Sequence, residues 1–265
     1  TPDIANASRR MKKSEFDNCQ KNGVTDIIEI QVGIDGITLA ESNKGQKFEL
    51  TAADVYKALA ANPFGKPQAA KLWSDVNPSL PKLPISVYGP PSTSGTRDAF
   101  AELILEAGCN TDAATKALKA SDEDKYKATC HVIRTDGAYK EQGENDNLIV
   151  QKLDANPDMI GIFGYSYMEA NLGKVHGISL DGVAPTYDTI ATSKYPGARA
   201  LYIYVKKAHV EKIPGIKEYL LEFIKAGAKG SYLGKLGLIS SPDDIRSGAE
   251  AAANGLTVLD GSSLK

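Results

Sequence analysis

Residues 89–100, with the sequence GPPSTSGTRDAF, place hydroxyl groups, glycine and one arginine directly before an apolar helical run. Ser94, Gly95 and Thr96 supply backbone N–H groups and two hydroxyls. Arg97 adds a guanidinium, which suits the paired oxygens of a phosphate or carboxylate. The first N–H groups of a helix carry a partial positive charge, so they favour an anion. The segment therefore indicates an oxyanion site or, equally well, a simple helix N-cap.

Two other chemistries fit this segment less well. A nucleotide P-loop has four residues between its glycines and a following lysine, whereas five residues separate Gly89 from Gly95. A phosphate-ester hydrolase or transferase could use Ser94 or Thr96, but the G-x-S-x-G elbow of serine hydrolases is missing. The three histidines, which could supply a base, are scattered along the chain: His131, His176 and His209. The hydrolase stays as the alternative function.

A second polar junction, GENDN at residues 143–147, also precedes an apolar helical pattern. Glu144, Asn145 and Asp146 could cap that helix. A carboxylate here could instead face a bound oxyanion and accept its proton. Phosphate carries a proton near neutral pH and sulfate does not, so such a carboxylate would discriminate between the two ions.

A third junction lies at the start of the chain, in the sequence PDIANASRR. Ser8 and Arg9 follow a short apolar strand, and they could contact an anion or form a solvated turn. Each junction alone is weak evidence for a ligand site. Three of them, spread over two regions of the chain, are a better indication of one.

The composition narrows the function classes. The chain has 265 residues, 42% hydrophobic content and a formal net charge of −2. This balance argues against nucleic-acid binding, which usually needs a basic excess. No apolar stretch reaches the roughly 18–20 residues of a membrane span. The cysteines and histidines show no zinc-site spacing, so we expect neither metal nor cofactor.

The three cysteines leave two interpretations open. Cys109 and Cys130 could form a disulfide in an oxidising compartment, with Cys19 left over. Alternatively, all three are buried free thiols.

Strand-like and helical patterns alternate along the chain. Residues 26–40, 85–88 and 129–134 have the β-branched alternation of strands, and residues 97–108 have the apolar spacing of a helix. This alternation predicts an α/β fold with parallel or mixed sheets. Residues 81–88 and 196–204 are candidate hinges between two lobes.

Four segments together carry a family resemblance: PDIANASRR, YGPPSTSGTRDAF, GENDNLIVQKLDANPDMIGIFGYSYMEAN and YPGARALYIYVKKAHV. They resemble the periplasmic phosphate-binding proteins of high-affinity phosphate ABC transporters. The resemblance implies a type II periplasmic-binding-protein fold, in which two α/β lobes joined by two hinge strands close on phosphate in the cleft. We assign residues 1–83 and 201–265 to lobe one and residues 84–200 to lobe two.

The resemblance also implies a site. Members of the family bind phosphate with the loop that matches Ser94, Gly95 and Thr96, and a subgroup has an arginine at the position of Arg97. Ser8 and Arg9 fall at another ligand-binding turn, where some members have Asp in place of Arg9. The resemblance therefore does not identify the carboxylate that accepts the phosphate proton. The candidates are Asp98, Asp136, Glu144 and Asp146. The predicted ligand-binding set is Ser8, Arg9, Ser94, Gly95, Thr96, Arg97, Asp136, Glu144, Asn145 and Asp146.

The implied function is that of a monomeric periplasmic solute-binding protein that delivers inorganic phosphate to a membrane permease and is not an enzyme. A binding protein for another oxyanion, sulfate or phosphonate, is the alternative within this class. Family members carry a further segment before the PDI strand, so we expect the first lobe to be incomplete here. We also expect weak or absent phosphate binding by this polypeptide on its own.

Overall fold

The computed structural model describes residues 2–143 and 146–265. In these ranges the strands are β1 (Ile4–Ala7), β2 (Ile27–Ser42), β3 (Glu49–Leu50), β4 (Val87–Gly89), β5 (Tyr139–Glu141), β6 (Ile160–Gly164), β7 (Val175–Gly177), β8 (Ser179–Leu180) and β9 (Ala198–Lys206). The α-helices are α1 (Lys13–Lys21), α2 (Ala52–Leu59), α3 (Trp73–Val76), α4 (Gly95–Phe100), α5 (Glu106–Cys109), α6 (Ala113–Ser121), α7 (Glu123–Cys130), α8 (Asp146–Ala155), α9 (Tyr165–Ala170), α10 (Tyr187–Ala191), α11 (Lys207–Val210), α12 (Ile216–Ala226), α13 (Tyr232–Lys235) and α14 (Asp243–Gly255). Short 3₁₀ turns at Pro63–Gly65 and Gly261–Ser263 and a π-helical turn at Ala101–Leu105 complete the regular structure of the described chain.

The chain divides into two compact units. Unit 1 contains the residues up to Asp35, Ile190–Thr192 and Arg199–Lys265, and unit 2 contains Gly36–Thr189 and Ser193–Ala198. This division differs from the predicted lobes, because residues 36–83 belong to unit 2. The chain passes from unit 2 to unit 1 between Ala198 and Arg199, within the candidate hinge at 196–204. The candidate hinge at 81–88 lies inside unit 2.

The difference in the division arises from strand β2, which is 16 residues long. Its second half pairs antiparallel with β6 and β7, so the chain that follows is built into unit 2. Helix α2, capped by Thr51, packs against α5 of the same unit. The sequence of β2 has a strand-like alternation of apolar and polar residues along most of its length, which does not reveal that its two halves serve different units.

Unit 1 contains part of the sheet, packed against helices α12 and α14. Its strands follow the order β1–β9–β2, and β1 runs antiparallel to β9. The core is apolar and joins the sheet to α12 and α14 through Ile28, Ile30, Val32, Ile203, Val205, Ile216, Leu220, Ile224, Ala249 and Ala253.

Unit 2 has a mixed sheet in which β4 runs parallel to both β5 and β6. Helix α8 packs on β6 through the buried side chains of Ile149 and Leu153. Gly161 permits this approach, since a Cβ there would lie 2.8 Å from each of these two side chains. The carboxyl end of β4 leads directly into the segment at residues 90–96.

A disulfide joins Cys109 of α5 to Cys130 of α7, and both residues are fully buried. This confirms the predicted bridge, and Cys19 is a free, half-buried thiol. The predicted strand at residues 129–134 is wrong, because α7 extends to Cys130. Among the described residues, no helix is both long enough and apolar enough to cross a membrane.

Glu41 is a buried carboxyl that faces His176 across the antiparallel pair formed by β2 and β7. Its side chain is 1% exposed, and one oxygen, Oε1, lies 3.0 Å from Nε2 of His176 and accepts from the Phe48 N–H. Asn43 donates its Nδ2 to the carbonyl of Leu172, so its Oδ1 accepts from Nδ1 of His176 at 2.9 Å. Since Nδ1 carries a proton, the Glu41–His176 contact needs a second proton, held by one partner or the other.

Burial decides which partner holds that proton. It raises the pKa of Glu41 from 4.5 to about 7, against the lowering effects of the Phe48 N–H and Lys47. Burial also lowers the pKa of His176, and the positive charge of Lys47 lowers it further. Both directions place the proton on Glu41, whose hydroxyl then donates to the neutral imidazole. The other oxygen of Glu41 has no partner among the described residues, which penalises a carboxylate more than a neutral acid.

We predict that Glu41→Gln removes a pH-dependent loss of stability. Because the folded pKa lies above the unfolded value of 4.5, the stabilisation from Glu41 is complete below pH 4.5 and is lost as the pH rises to about 7. Glutamine does not titrate. At the position of Oε1 its amide keeps one of the two hydrogen bonds, because an amide nitrogen donates to His176 but does not accept from the Phe48 N–H, and an amide oxygen does the reverse; this loss is the same at both pH values. Urea unfolding at pH 5 and pH 8 should therefore show the variant gaining about 3 kcal/mol relative to wild type between these two pH values.

The exposed Glu49→Gln is the matched control for this comparison, and its free energy of unfolding should follow that of wild type at both pH values. Parallel pH dependence of wild type and Glu41→Gln would show that Glu41 is ionised in the folded protein at pH 5.

Candidate oxyanion-binding turn

The turn that follows β4 runs from Pro90 to Ser94 and is closed by its own hydrogen bonds. The backbone N–H of Ser94 donates to the carbonyl of Pro91 at 3.0 Å. The Ser94 side chain is 5% exposed, and its hydroxyl oxygen accepts from the N–H of Thr96 at 3.3 Å. The Ser94 N-cap anticipated from the sequence is therefore present, and contact of the same residues with an anion stays a prediction.

The helix that starts at Gly95 is longer than α4 alone. It continues through the π-helical turn Ala101–Leu105 into α5, which ends at Cys109. Its peptide dipoles therefore point their positive end at the turn. Ala99 and Phe100 are buried and hold this helix start against unit 2.

Arg97 is packed against other groups of unit 2. Its Nη1 donates to the carbonyl of Pro90 at 3.2 Å and to Glu141 at 3.3 Å. Its guanidinium lies 4.4 Å from the centre of the Tyr139 ring. The side chain keeps 14% exposure. Next to Arg97 is a cavity of about 480 Å³, which Asp98 and Glu141 also line.

The sequence analysis missed Tyr139 and Glu141. They lie on β5, and the parallel pairing of β4 with β5 places Gly89 opposite Glu141. The segment GAYKEQ has a strand-like alternation, which is the only local signal of these two residues. Their contact with Arg97 depends on which strands are neighbours in the sheet, and local sequence does not specify that.

Asp136, one of the predicted ligands, pairs with Arg134. The two oxygens of Asp136 accept from Nε and Nη2 of Arg134 at 2.8 and 2.5 Å. This hydrogen bonding lowers the pKa of Asp136. Arg134 is 6% exposed and also donates to the carbonyls of Ala58 and Ala70. The structure thus gives Asp136 a partner that is separate from Arg97 and Ser94.

Asp146 is the first residue of α8. Its Oδ2 accepts from the N–H of Gly164 at 3.4 Å, at the N-terminus of α9. This contact helps to join α8 to α9. The predicted ligands Glu144 and Asn145 lie outside the described residues.

Ser8 and Arg9 lie in unit 1, directly after β1. Arg9 donates to both oxygens of Glu15, at 2.9 and 2.7 Å. This hydrogen bonding lowers the pKa of Glu15 to about 2, although burial opposes it. Ser8 lines a cavity of about 420 Å³, most of whose other lining residues are apolar, among them Val32 and Phe223.

Each of the three histidines is within hydrogen-bond distance of an acidic side chain: His131 of Glu106, His176 of Glu41 and His209 of Asp3. None of these contacts involves Ser94, the nucleophile of the hydrolase alternative. Over residues 2–143 and 146–265, no group of three or more His, Cys, Asp or Glu side chains could hold a metal ion.

The chain belongs to the PBP superfamily, whose domain model matches residues 1–226. It is 32% identical over 218 residues to the protein SphX of Synechococcus elongatus, covering 79% of this chain and 55% of that protein. It is 28% identical over 225 residues to the phosphate-binding protein PstS of Staphylococcus saprophyticus, covering 82% of this chain and 59% of that protein. The chain thus spans well under two thirds of the length of these two relatives.

Solved structures agree on the fold. A possible phosphate-binding protein from Planctomyces limnophilus matches with a TM-score of 0.69 and 27% identity, over 96% of this chain and 80% of its own. PstS from Borrelia burgdorferi matches with a TM-score of 0.61 and 19% identity, over 91% and 79%, and supports the fold alone. These matches and the PBP model confirm the predicted α/β class, the periplasmic-binding-protein fold and the family resemblance.

We predict that Asp136→Ala lowers the free energy of unfolding by about 1–3 kcal/mol, because the buried Arg134 loses its carboxylate partner. Urea unfolding at pH 7 measures this loss. Asp158→Ala, at an exposed position, is the matched control and should change the free energy by less than about 0.5 kcal/mol. An unfolding midpoint of Asp136→Ala equal to that of wild type would show that this ion pair is not stabilising.

Proposed function

We propose that the protein containing this chain is an extracytoplasmic solute-binding protein that binds inorganic phosphate and delivers it to an ABC permease. The observation that carries the proposal is the segment Ser94–Arg97, where the turn passes into α4. It combines a helix N-terminus, hydroxyl groups and a guanidinium. The relatives and structures named above as phosphate-binding proteins support phosphate as the ligand. The periplasm and a monomeric state belong to the same proposal.

The chemistry of the turn suits a tetrahedral oxyanion. Backbone N–H groups at a helix start and the hydroxyls of Ser94 and Thr96 are neutral donors, so they bind an anion without requiring a counter-charge. Arg97 supplies the positive charge, and Glu141 beside it reduces the net charge of this region. We propose that a nearby carboxylate makes the site prefer a protonated oxyanion, because two ionised acceptors would repel each other. Candidates for that carboxylate are Asp98, Asp136, Glu144 and Asp146.

An enzyme that uses Ser94 as a nucleophile has less support. The hydroxyl of Ser94 is part of a helix cap, and the described side-chain partners of the histidines lie in other parts of the chain. PstS of Staphylococcus saprophyticus, one of the relatives named above, is a phosphate-binding protein, which favours binding over turnover.

The test uses the whole protein that the reading frame encodes, called the encoded protein below. It is titrated calorimetrically with phosphate and with sulfate. We predict that phosphate binds at least about 100-fold more tightly than sulfate. Ser94→Ala should weaken phosphate binding by about tenfold, because one hydrogen bond to the anion is lost. Ser121→Ala, on the exposed end of α6, is the matched control and should bind as wild type does.

Failure of the encoded protein to bind phosphate at millimolar concentration would contradict the proposal. Hydrolysis of a phosphomonoester that Ser94→Ala abolishes would favour the enzyme instead. Tighter binding of sulfate or a phosphonate than of phosphate would keep the class and change the ligand.

A further inference from the structure

Tyr139 contacts both ends of the turn that carries the candidate site. Its side chain is 6% exposed, and its hydroxyl donates to the carbonyl of Pro90 at 2.8 Å. The face of its ring lies 4.4 Å from the guanidinium carbon of Arg97. Pro90 begins the turn and Arg97 follows its last residues, so one aromatic side chain spans the whole segment.

Strand pairing sets the position of Tyr139. The parallel register of β4 and β5 places Val87 opposite Tyr139 and Gly89 opposite Glu141. A Cβ on Gly89 would lie 2.2 Å from the Tyr139 hydroxyl oxygen, so only glycine leaves room for the phenol at this point. The Tyr139 phenol and Gly89 are therefore sterically complementary. This complementarity fixes the position of the phenol more specifically than burial of an aromatic ring alone would.

The electrostatics of Tyr139 favour the same arrangement. The negative face of an aromatic ring attracts a guanidinium. Burial raises the pKa of Tyr139 to about 12, against the lowering effect of Arg97. The hydroxyl therefore stays protonated near neutral pH and continues to donate to Pro90.

Arg97 needs such support to act on a ligand. An arginine side chain loses considerable rotamer freedom when it binds an anion, and this loss weakens the binding. The Tyr139 ring on one side, together with the carbonyl of Pro90 and the carboxylate of Glu141, already restricts the guanidinium. Arg97 is thus already ordered in the folded protein, so its side chain loses little further conformational entropy when an anion binds.

We propose that Tyr139 is a positioning residue for oxyanion binding, which orients the Arg97 guanidinium and fixes the start of the turn at Pro90. This inference rests on the proposed function, since it assumes that an anion binds at the turn. Tyr139 itself does not contact the anion; it acts through Arg97 and the backbone.

The test is a double-mutant cycle on the encoded protein, with inorganic phosphate as the titrant. Tyr139→Phe keeps the ring but loses the bond to Pro90, and should weaken binding about threefold to tenfold. Tyr139→Leu also loses the stacking and should weaken binding further, by about twofold to thirtyfold. In an Arg97→Gln background, Tyr139→Leu should bind phosphate less than about threefold more weakly than Tyr139→Phe, because the guanidinium that the ring positions is absent, whereas the loss from the Pro90 bond remains in both backgrounds.

Tyr126→Phe is the matched control. Tyr126 is also buried, and its hydroxyl donates to Glu106 and Asn110 at 3.0 and 3.1 Å, so the variant loses comparable bonds away from the turn. It should lower the melting temperature while phosphate affinity stays within about twofold of wild type, as expected for distant, independent sites.

Two outcomes separate this inference from the proposed function. Wild-type protein that binds no phosphate overturns the proposed function itself. Wild-type protein that binds phosphate, with the same difference in affinity between Tyr139→Leu and Tyr139→Phe in the presence and absence of Arg97, overturns the positioning role alone. If Tyr139→Leu fails to fold, Tyr139→Phe still tests the bond to Pro90, and a phosphate affinity equal to that of wild type overturns the role.

Discussion

The carbonyl oxygen of Pro90 accepts hydrogen bonds from two side chains, the hydroxyl of Tyr139 and Nη1 of Arg97. This junction fixes where β4 ends and how the chain turns into the helix that begins at Gly95. A buried carbonyl at such a turn must find donors, because an unpaired one would cost about 1–3 kcal/mol. Here the donors come from the neighbouring strand and from the helix, so the turn, the sheet register and Arg97 depend on one another.

The locally determined parts of this arrangement could be predicted from the sequence. The helix that starts near Arg97 and the Ser94 cap follow from residue spacing and from the hydrogen bond that a serine can make to the next turn. The disulfide between Cys109 and Cys130 was one of two open interpretations, and the helix that ends at Cys130 replaces a predicted strand. That replacement shows how a segment of six residues, such as TCHVIR at 129–134, fails to distinguish a helix end from a strand.

The parts that depend on sheet pairing could not be predicted. Tyr139 and Glu141 reach Arg97 because β5 is the parallel neighbour of β4, although about fifty residues of chain separate the two strands. The continuation of β2 into unit 2 likewise depends on its pairing with β6 and β7. The role of Asp136 as a ligand stays a prediction, and its ion pair with Arg134 could not be predicted either, because Arg134 is held by carbonyls that lie far away in sequence. Membership of the PBP superfamily supplies the general fold, and these long-range contacts supply the chemistry of this particular chain.

We propose that the segment Ser94–Arg97 binds phosphate, and a crystal structure of the encoded protein grown with phosphate is the sharpest test. We expect a phosphate ion with its oxygens within hydrogen-bond distance of the Ser94 and Thr96 hydroxyls and of the Arg97 guanidinium, with the ring of Tyr139 still stacked against that guanidinium. A phosphate ion bound only at another position, with no anion at this segment, would overturn the proposal.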